Sequence, residues 1–329
     1  MRLVVMYTPT APDASPDDLD GLVQLESIST ALCELGHEAI PAPFGLDLED
    51  VWRALQRERP DCVFNLVESV AGHDRLLHFA PALLEALGIS FTGSGSCATL
   101  TTTNKLLAKR MMSDHGLPTP AWLEPYARSP GAPSPGTQLI VKSAWDHGSK
   151  GLDDNSLLEL EDEDDLLARL RRLSASPGKE WFAEAFIDGR EFNLSMLADG
   201  DGARVLQPAE IRFEGFDANR PRLVGYKAKW DTESFEYSHT VRSFDFPSRD
   251  DRLLNKISAL ALETWRLFGL RGYARVDFRV DQAGNAYILE VNANPCLSPD
   301  AGFAAAIERA GMTYNQAIEG IILDAVSRG

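Results

Sequence analysis

The segment 273–295, YARVDFRVDQAGNAYILEVNANP, contains two stretches in which polar and apolar residues alternate. A period of two places every second side chain on the same face of an extended strand, so the segment predicts two β-strands joined by a short turn. On this pattern one face of the strand pair carries Arg275, Asp277 and Arg279 from the first strand, and Ile288, Glu290 and Asn292 from the second.

The turn between these strands determines which residues face each other. Residues 282–285 form the turn, and counting back from a pair at positions 281 and 286 sets Asp277 opposite Glu290. The same count sets Arg275 opposite Asn292. Two facing carboxylates repel each other, so a cation is expected between them. Carboxylate and amide oxygens suit Mg²⁺, which keeps its other positions for water and phosphate oxygens. The alternative interpretation is a solvated hairpin face with scattered charges.

The N-terminal third of the chain alternates between strand and helix patterns. The predicted elements are a strand at 3–7, a helix from about 18 to 35, a strand at 62–67, a helix at 76–87 and a strand at 89–92. This order predicts a parallel sheet covered by helices, the arrangement of an α/β domain. We assign residues 1–100 to this Rossmann-like domain.

The remainder of the chain predicts two α+β units separated near residue 180. The middle unit, 101–180, has a helix at 104–115, a Pro- and Gly-rich loop at 128–136, a strand at 139–142 and a helix at 161–173. The last unit, 181–329, has strands at 181–187, 191–197 and 203–213, a helix at 250–267, the hairpin and a helix at 314–326.

Composition excludes several functional classes. The formal net charge of −17 over 329 residues argues against sequence-independent binding of nucleic acid, because phosphate backbones are bound by surplus Lys and Arg. The longest early apolar run, 3–7, is too short for a signal peptide or a membrane span. The four cysteines form no C-x-x-C pair, so reduced thiols are expected. We expect a cytoplasmic protein that binds neither membrane nor nucleic acid.

Five segments of the chain, in their order and spacing, resemble one enzyme family. They are GISFTGSGSCATLTTTNKLLAKRMMSDHGLPTP (88–120), LIVKSAWDHGSKG (139–151), FAEAFIDGREFNLSML (182–197), YKAKW (226–230) and RGYARVDFRVDQAGNAYILEVNANP (271–295). The family is the ATP-grasp superfamily, in its D-alanine–D-alanine ligase branch. The resemblance implies a three-domain ATP-grasp fold, in which two α+β subdomains clamp ATP beside the Rossmann-like sheet. It also implies a homodimeric ATP-dependent carboxylate–amine ligase that acts through an acylphosphate.

The same resemblance implies the roles of individual residues. The metal ligands would be Asp277, Glu290 and Asn292, binding Mg²⁺ or, as an alternative, Mn²⁺. The residues implied to contact ATP are Lys105, Lys142, Gly148, Ser149, Glu184, Ala185, Phe186, Ile187, Glu191, Lys229 and Leu289. Among them, residues 184–191 resemble the adenine hinge of the family, in which backbone groups of 185–187 would contact the purine edge. Glu184 would accept from the exocyclic amine of adenine, and Glu191 from the ribose hydroxyls. The residues assigned to catalysis are Arg275, Ser149 and Lys229, with Arg275 holding the oxyanion of the tetrahedral intermediate. Ser149 lies in a loop, 146–151, that would cover the phosphates of ATP.

The side that would bind the amine substrate departs from the family pattern. Cys296 replaces a glycine, and Ala301 and Gly302 stand where a Ser-Leu pair anchors the second substrate's carboxylate. The family motif for the first substrate's amine is not recognisable around residues 12–26, and His147 occupies a position that usually holds glycine. We therefore expect small-molecule amino acid or peptide substrates, with the ligase joining amino acids or an amino acid to a peptide or metabolite. A true D-alanine–D-alanine ligase is the first alternative.

Two other functions remain open from the sequence. Residues 93–98, GSGSCA, are compatible with a dinucleotide-binding oxidoreductase, although they follow the third strand pattern instead of the first. A nucleotide-binding ATP-grasp module without turnover is the other alternative. Arg275 argues against this module, because a protein that only binds nucleotide does not need an oxyanion donor.

Overall fold

The computed structural model of the chain describes residues 1–10, 14–127, 131–149, 151–152, 156–217 and 220–328. Some residues in segments interpreted above, 11–13, 128–130 and 150, lie outside this described part. The described strands form three sheets.

The N-terminal sheet is parallel, as predicted, and has the strand order β2-β1-β3. Its elements are β1 (Arg2–Tyr7), α1 (Pro16–Glu34), β2 (Glu38–Pro43), α2 (Leu48–Glu58), β3 (Cys62–Leu66) and α3 (Phe79–Leu87). Strand β2 was not predicted, because its two prolines and half-exposed side chains are those of an edge strand. The strand predicted at 89–92 is wrong, since only a single parallel bridge joins Phe91 to Val63.

The middle part of the chain forms an antiparallel sheet of order β4-β7-β5-β6. Its elements are α4 (Ser96–Thr103), α5 (Lys105–Asp114), β4 (Trp122–Leu123), β5 (Gln138–Ser143), β6 (Leu157–Glu159), α6 (Glu163–Leu173) and β7 (Trp181–Ala185). Asn104 caps α5 by accepting from the N–H of Leu107 at 2.8 Å, which places Lys105 in the first turn. Because β7 pairs with β5, this sheet extends past the boundary predicted at residue 180.

The third sheet has six strands in the order β11-β10-β8-β12-β13, with β9 paired to β8. Its part of the chain contains β8 (Gly189–Asp199), β9 (Gly202–Val205), β10 (Ala209–Phe213), α7 (Tyr226–Trp230), α8 (Phe235–His239), β11 (Thr240–Ser243), α9 (Asp251–Phe268), β12 (Tyr273–Asp281), β13 (Ala286–Asn292), α10 (Gly302–Arg309) and α11 (Tyr314–Ser327). The buried side of α9, which includes Ile257, Ala261 and Trp265, covers the core face of β12 and β13.

The last two helices pack against the N-terminal sheet instead of forming a separate layer. Phe303 of α10 and Ile318 and Ile322 of α11 share one buried cluster with Leu3 and Phe64 of the sheet. Leu197 of β8 and Tyr273 of β12 belong to the same cluster, so the end of the chain closes the N-terminal domain and ties it to the six-stranded sheet. None of the described helices is long and apolar enough to cross a membrane.

A β-bulge corrects the predicted pairing of the hairpin. Near the turn Phe278 faces Ile288, one residue out of the predicted count, and the register shifts between Asp277 and Phe278. Ile288 is therefore fully buried in the core, and its predicted place on the polar face is wrong. The shift leaves Leu289 unpaired and restores the predicted pair of Asp277 and Glu290.

Candidate active site

The cleft lies between the antiparallel sheet of the middle part and the six-stranded sheet. It encloses about 930 Å³, counting the part open to solvent. All eleven residues assigned to ATP from the sequence line this cleft, and Asp277 and Glu290 line it with them. Asn292 and Arg275 do not form its wall, but each lies two residues along the strand from one of these carboxylates. The fold thus gathers residues from positions 105 to 290 around one space.

Asp277 and Glu290 face each other across β12 and β13. The carboxylate of Asp277 accepts two hydrogen bonds from Arg275, at 2.8 and 2.9 Å, so a guanidinium compensates its charge. The side-chain amides of Asn193 and Asn292 also donate to Asp277, at 2.8 and 3.1 Å. Arg275 thus supplies a positive charge beside the facing carboxylates, as was expected from the sequence.

The donor set fits Mg²⁺. The described residues contain no group of three or more His, Cys, Asp or Glu side chains that could hold a metal, and the facing pair of Asp277 and Glu290 offers two carboxylates. Two carboxylates with neighbouring amide groups are enough for Mg²⁺, because this ion completes its coordination with water and substrate phosphates. The same side chains would supply too few ligands for a metal that is coordinated by protein alone.

Glu290 lies beside Lys105 and His147. Its Oε1 is 3.2 Å from the Lys105 Nζ and 3.5 Å from the His147 Nδ1. Burial would raise the pKa of Glu290, but Lys105, His147 and Lys229 together hold it well below its ordinary value. Glu290 is therefore a carboxylate at neutral pH, as a metal ligand must be. Lys105 also donates to the carbonyl of Asp146 at 2.7 Å, which ties the phosphate-covering loop to the same corner.

The backbone at residues 185–187 is only partly available to a ligand. The N–H groups of Ala185 and Phe186 already donate, at 2.8 Å, to the carbonyls of Ala121 and Gln138. A purine edge would therefore have to use the Phe186 carbonyl and the Ile187 N–H. The backbone that the sequence analysis assigned to adenine therefore offers one hydrogen-bond acceptor and one donor.

Comparison with known proteins decides the family. The profile of the family described as D-ala D-ala ligase C-terminus matches residues 139–323, more than half of the chain. The chain belongs to the D-alanine–D-alanine ligase family. As a member of this family it is an ATP-dependent carbon–nitrogen ligase.

Full-length relatives agree with this assignment. A D-alanine–D-alanine ligase of Desulforudis audaxviator is 30% identical over 303 residues, covering 90% of each chain. Another, from a Synechococcus strain, is 29% identical over 316 residues and covers 93% of this chain and 89% of its own. The crystal structure of a D-alanine–D-alanine ligase of Bacillus anthracis, complexed with ATP, superposes with a TM-score of 0.72 at 20% identity. It covers 100% of this chain and 98% of its own, and it shows that the ATP-grasp fold extends over the whole molecule.

This ligase contains a buried lysine that sequence reasoning missed. The Lys109 Nζ donates to Glu184 at 2.7 Å and to Thr119 at 2.8 Å, and both Lys109 and Glu184 are at least 98% inaccessible. Lys142 donates to the other oxygen of Glu184. Burial would raise the pKa of Glu184, but the two ammonium groups lower it to about 2. Glu184 therefore holds Lys142 in the wall of the cleft. From the same position Glu184 would make its predicted contact to the adenine amine.

Arg279 is a second residue that was not assigned. Its guanidinium is 2.8 Å from Glu191, so the carboxylate expected at the ribose is already held in place. It also donates to the carbonyls of Ile187 and Gly189 beside the hinge and to that of Arg222. The alternation of polar and apolar residues in β12 could have identified Arg279, because it places Arg279 on the same face as Arg275 and Asp277.

The phosphate-covering loop is fastened to a lid formed by residues 222–230. Ser149 has a left-handed backbone, with φ of 62°, and its hydroxyl donates to the carbonyl of Val224 at 2.9 Å. The indole of Trp230 donates to the carbonyl of Gly148 at 3.1 Å. These contacts turn the loop and the lid into one cover over the cleft. Lys150 of the loop lies outside the described residues.

Two further cations lie near the carboxylate pair. Burial lowers the pKa of Lys229, and the neighbouring Arg275 lowers it further, although Glu290 and Asp277 oppose this. Burial acts the same way on Arg275, but its ion pair with Asp277 outweighs that effect and raises the pKa of the guanidinium. Arg275 thus remains a cation whose orientation Asp277 fixes.

Helix α1 contacts the segment after β13, which the sequence analysis assigned to the amine substrate. The thiol of Cys296 and the hydroxyl of Ser298 donate to the two oxygens of Asp20, at 3.0 and 3.1 Å. Gln24 accepts from the N–H of Leu297 at 2.7 Å. Burial raises the pKa of the Cys296 thiol, and nearby acidic groups raise it further, so this residue acts as a hydrogen-bond donor here and not as a nucleophile.

Helix α1 also reaches the lid, a contact not recognisable from the sequence. The hydroxyl of Tyr226 in the lid donates to Asp17 at 3.1 Å, although no family motif was identified around residues 12–26. An aspartate in the first turn of a helix looks like an ordinary helix-start residue. Only the fold shows that it faces the cover of the active site.

Proposed function

We propose that this ligase joins two amino acids, or an amino acid to a peptide or small metabolite, by phosphorylating a carboxylate with ATP. The observation that carries the proposal is the facing pair of Asp277 and Glu290 in a cleft that three lysines enter: Lys105, Lys142 and Lys229. Two carboxylates and three lysines in one space suit a metal–triphosphate ligand better than a neutral one.

Phosphorylation is needed because a free carboxylate is a poor acyl donor to an amine. Mg²⁺, held by Asp277, Glu290 and Asn292, would neutralise phosphate charge when bound. The lysines would balance the charge that spreads over the transferred phosphoryl group. The cover formed by the loop and lid would keep water from the acylphosphate. Ser149 is held in that cover by its hydrogen bond to the lid, which supports a role in positioning the loop over the substrate.

Arg275 would act in the second step, when the amine attacks the acylphosphate. The carbonyl oxygen then becomes an oxyanion, and a fixed guanidinium stabilises it. The two hydrogen bonds from Arg275 to Asp277 support this role, because they hold the side chain in one orientation before the reaction begins. Removal of one such donor typically costs about 3 kcal/mol of barrier.

Two observations bear on the identity of the amino acid pair. The Desulforudis relative is a D-alanine–D-alanine ligase by name, which supports D-alanine as one candidate for both substrates. The amine side of this chain differs, with Cys296 bonded to Asp20 and with Ala301 and Gly302 in place of a Ser-Leu pair. These differences favour other amino acids or a peptide as the amine substrate.

A phosphate-release screen tests the proposal. Purified protein would be given ATP, Mg²⁺ and pairs of D- and L-amino acids or short peptides, with mass spectrometry of the products. We expect amide formation with at least one pair and loss of phosphate release in Glu290→Gln. Glu308→Gln, an exposed residue of α10, is the matched control and should keep wild-type turnover. Wild-type turnover in Glu290→Gln would overturn the assigned role of this carboxylate.

A further inference from the structure

Arg279 lies at the end of the cleft where the sequence analysis places adenine and ribose. It lines the cleft, yet only 3% of its surface is exposed. Its guanidinium stands over the ring of Phe186, in the hinge, and over that of Phe213, in β10, at 5.4 and 5.5 Å from the ring centroids. Burial and two aromatic contacts leave this guanidinium little freedom to turn.

Both terminal nitrogens of Arg279 contact other segments of the chain. Nη1 donates to the carbonyls of Ile187 and Gly189, at 3.3 and 3.4 Å. Nη2 lies 2.8 Å from Oε2 of Glu191, the cross-strand partner of Arg279 in β8. The same Nη2 donates to the carbonyl of Arg222, the first residue of the lid. One nitrogen therefore contacts both the carboxylate assigned to the ribose and the lid.

The shared nitrogen links the position of the carboxylate to that of the lid. The N–H groups of a guanidinium are fixed in one plane, and the two on Nη2 diverge by about 120°, so their acceptors cannot move independently. Ribose hydroxyls that donate to Glu191 would hold its carboxylate, and with it the guanidinium, in one place. The carbonyl of Arg222 then has a fixed donor. Without these hydroxyls Glu191 can turn, and Nη2 turns with it.

Resting on the proposed function, we propose that Arg279 is a positioning residue that couples recognition of the ribose to closure of the lid. A nucleotide with ribose hydroxyls then closes the lid more firmly than a nucleotide without them. The lid is bonded in turn to the phosphate-covering loop, through Trp230 and the carbonyl of Gly148. Contacts at the ribose thereby affect the cover over the phosphates, although Arg279 acts only through Glu191 and the carbonyl of Arg222.

Hydrogen exchange of the lid, measured by mass spectrometry on peptides covering 222–230, tests this coupling. The protein would be saturated with Mg²⁺ and either ADP or its 2′,3′-dideoxy analogue, so that differences in affinity cancel. In the wild type, lid exchange should be roughly fivefold slower with ADP, the effect of about one hydrogen bond. In Arg279→Met both nucleotides should protect the lid equally. Arg190→Met is the matched control and should keep the difference, because Arg190 pairs with Glu210 and Asp250 on the other face of the sheet.

A second variant, Arg279→Lys, keeps a positive charge beside Glu191 but lacks the planar fork. It should keep less than half of the wild-type difference between the two nucleotides. A wild-type difference in Arg279→Met would overturn the inference, and if that variant does not fold, a wild-type difference in Arg279→Lys would do so. Equal protection by both nucleotides in the wild type would also overturn it. These results need no amide product and leave the proposed function standing, whereas failure of the wild type to bind Mg²⁺ and ADP would overturn both.

Discussion

Lys109 and Glu184 form an ion pair of 2.7 Å in which both side chains are almost completely excluded from solvent. Burial lowers the pKa of Lys109, and Glu184 opposes that shift. The pair lies directly beneath the cleft, because Lys142 in the wall contacts the same carboxylate. The strength of this buried pair therefore affects both the stability of the fold and the position of a lysine assigned to ATP.

Replacing the buried lysine should destabilise the protein. Lys109→Met removes one partner and leaves Glu184 with Lys142 alone, and breaking a buried pair in this way typically costs about 3–5 kcal/mol. Urea unfolding would measure the loss, with Lys256→Met on the exposed side of α9 as the control. A loss of stability no larger than that of the control would contradict the stabilising role of the buried pair.

The same cluster predicts how stability changes with pH. The pKa of Glu184 is lowered from 4.5 to about 2 in the folded protein, so the unfolded chain binds its proton first as pH falls. The contribution of ionised Glu184 is complete above pH 4.5 and is lost as pH approaches about 2. The stability difference between wild type and Glu184→Gln should therefore shrink across that range. A difference that stays constant or grows on acidification would show that Glu184 is not held as a carboxylate.

Loosening the cover should uncouple ATP use from product formation. Trp230→Phe keeps an aromatic ring but loses the hydrogen bond to Gly148. Such a bond is worth about 1 kcal/mol, and hence roughly a fivefold change in the equilibrium for closing the cover. We expect more phosphate released per amide formed, because water reaches the acylphosphate more often. Parallel phosphate and product assays measure the ratio, with Trp52→Phe on the exposed side of α2 as the control. Equal ratios in wild type and Trp230→Phe would speak against the lid contact.

Gly189 is fixed by the close approach of two strands. A Cβ there would lie 2.0 Å from the carbonyl oxygen of Val280, so Gly189→Ala must push β8 away from β12. Overpacking of this kind typically costs about 1–3 kcal/mol. Gly320→Ala is the matched control, since the space around Gly320 in α11 is open and alanine favours a helix. Thermal unfolding should show a loss for the first variant and no loss for the second.

The hairpin shows how far the sequence predicts this fold. Alternation and turn length gave the pairing of Asp277 with Glu290, which the structure contains. The bulge at Leu289 was not predictable, because a strict period of two cannot place an extra residue in one strand. Strand β2 was also missed, since an edge strand with two prolines has little of the pattern of a buried one.

The functional site was also predicted only in part. Residues that line the cleft were found because their segments resemble a family, and all of those assigned to ATP line it. Lys109 and Asp17 were missed, since a lysine or aspartate on a helix reads as a surface residue until tertiary packing buries it. Such residues contact partners more than 50 positions away in the sequence, and a local sequence pattern cannot predict these contacts.

We propose that Asp277 and Glu290 together bind a divalent ion beside the phosphates of ATP. Crystals grown with Mn²⁺ and a non-hydrolysable ATP analogue would test it most directly through an anomalous difference map. We predict one strong Mn²⁺ peak in direct contact with both carboxylates, lost in Glu290→Gln. An analogue bound in the cleft with no anomalous peak between Asp277 and Glu290 would contradict the claim.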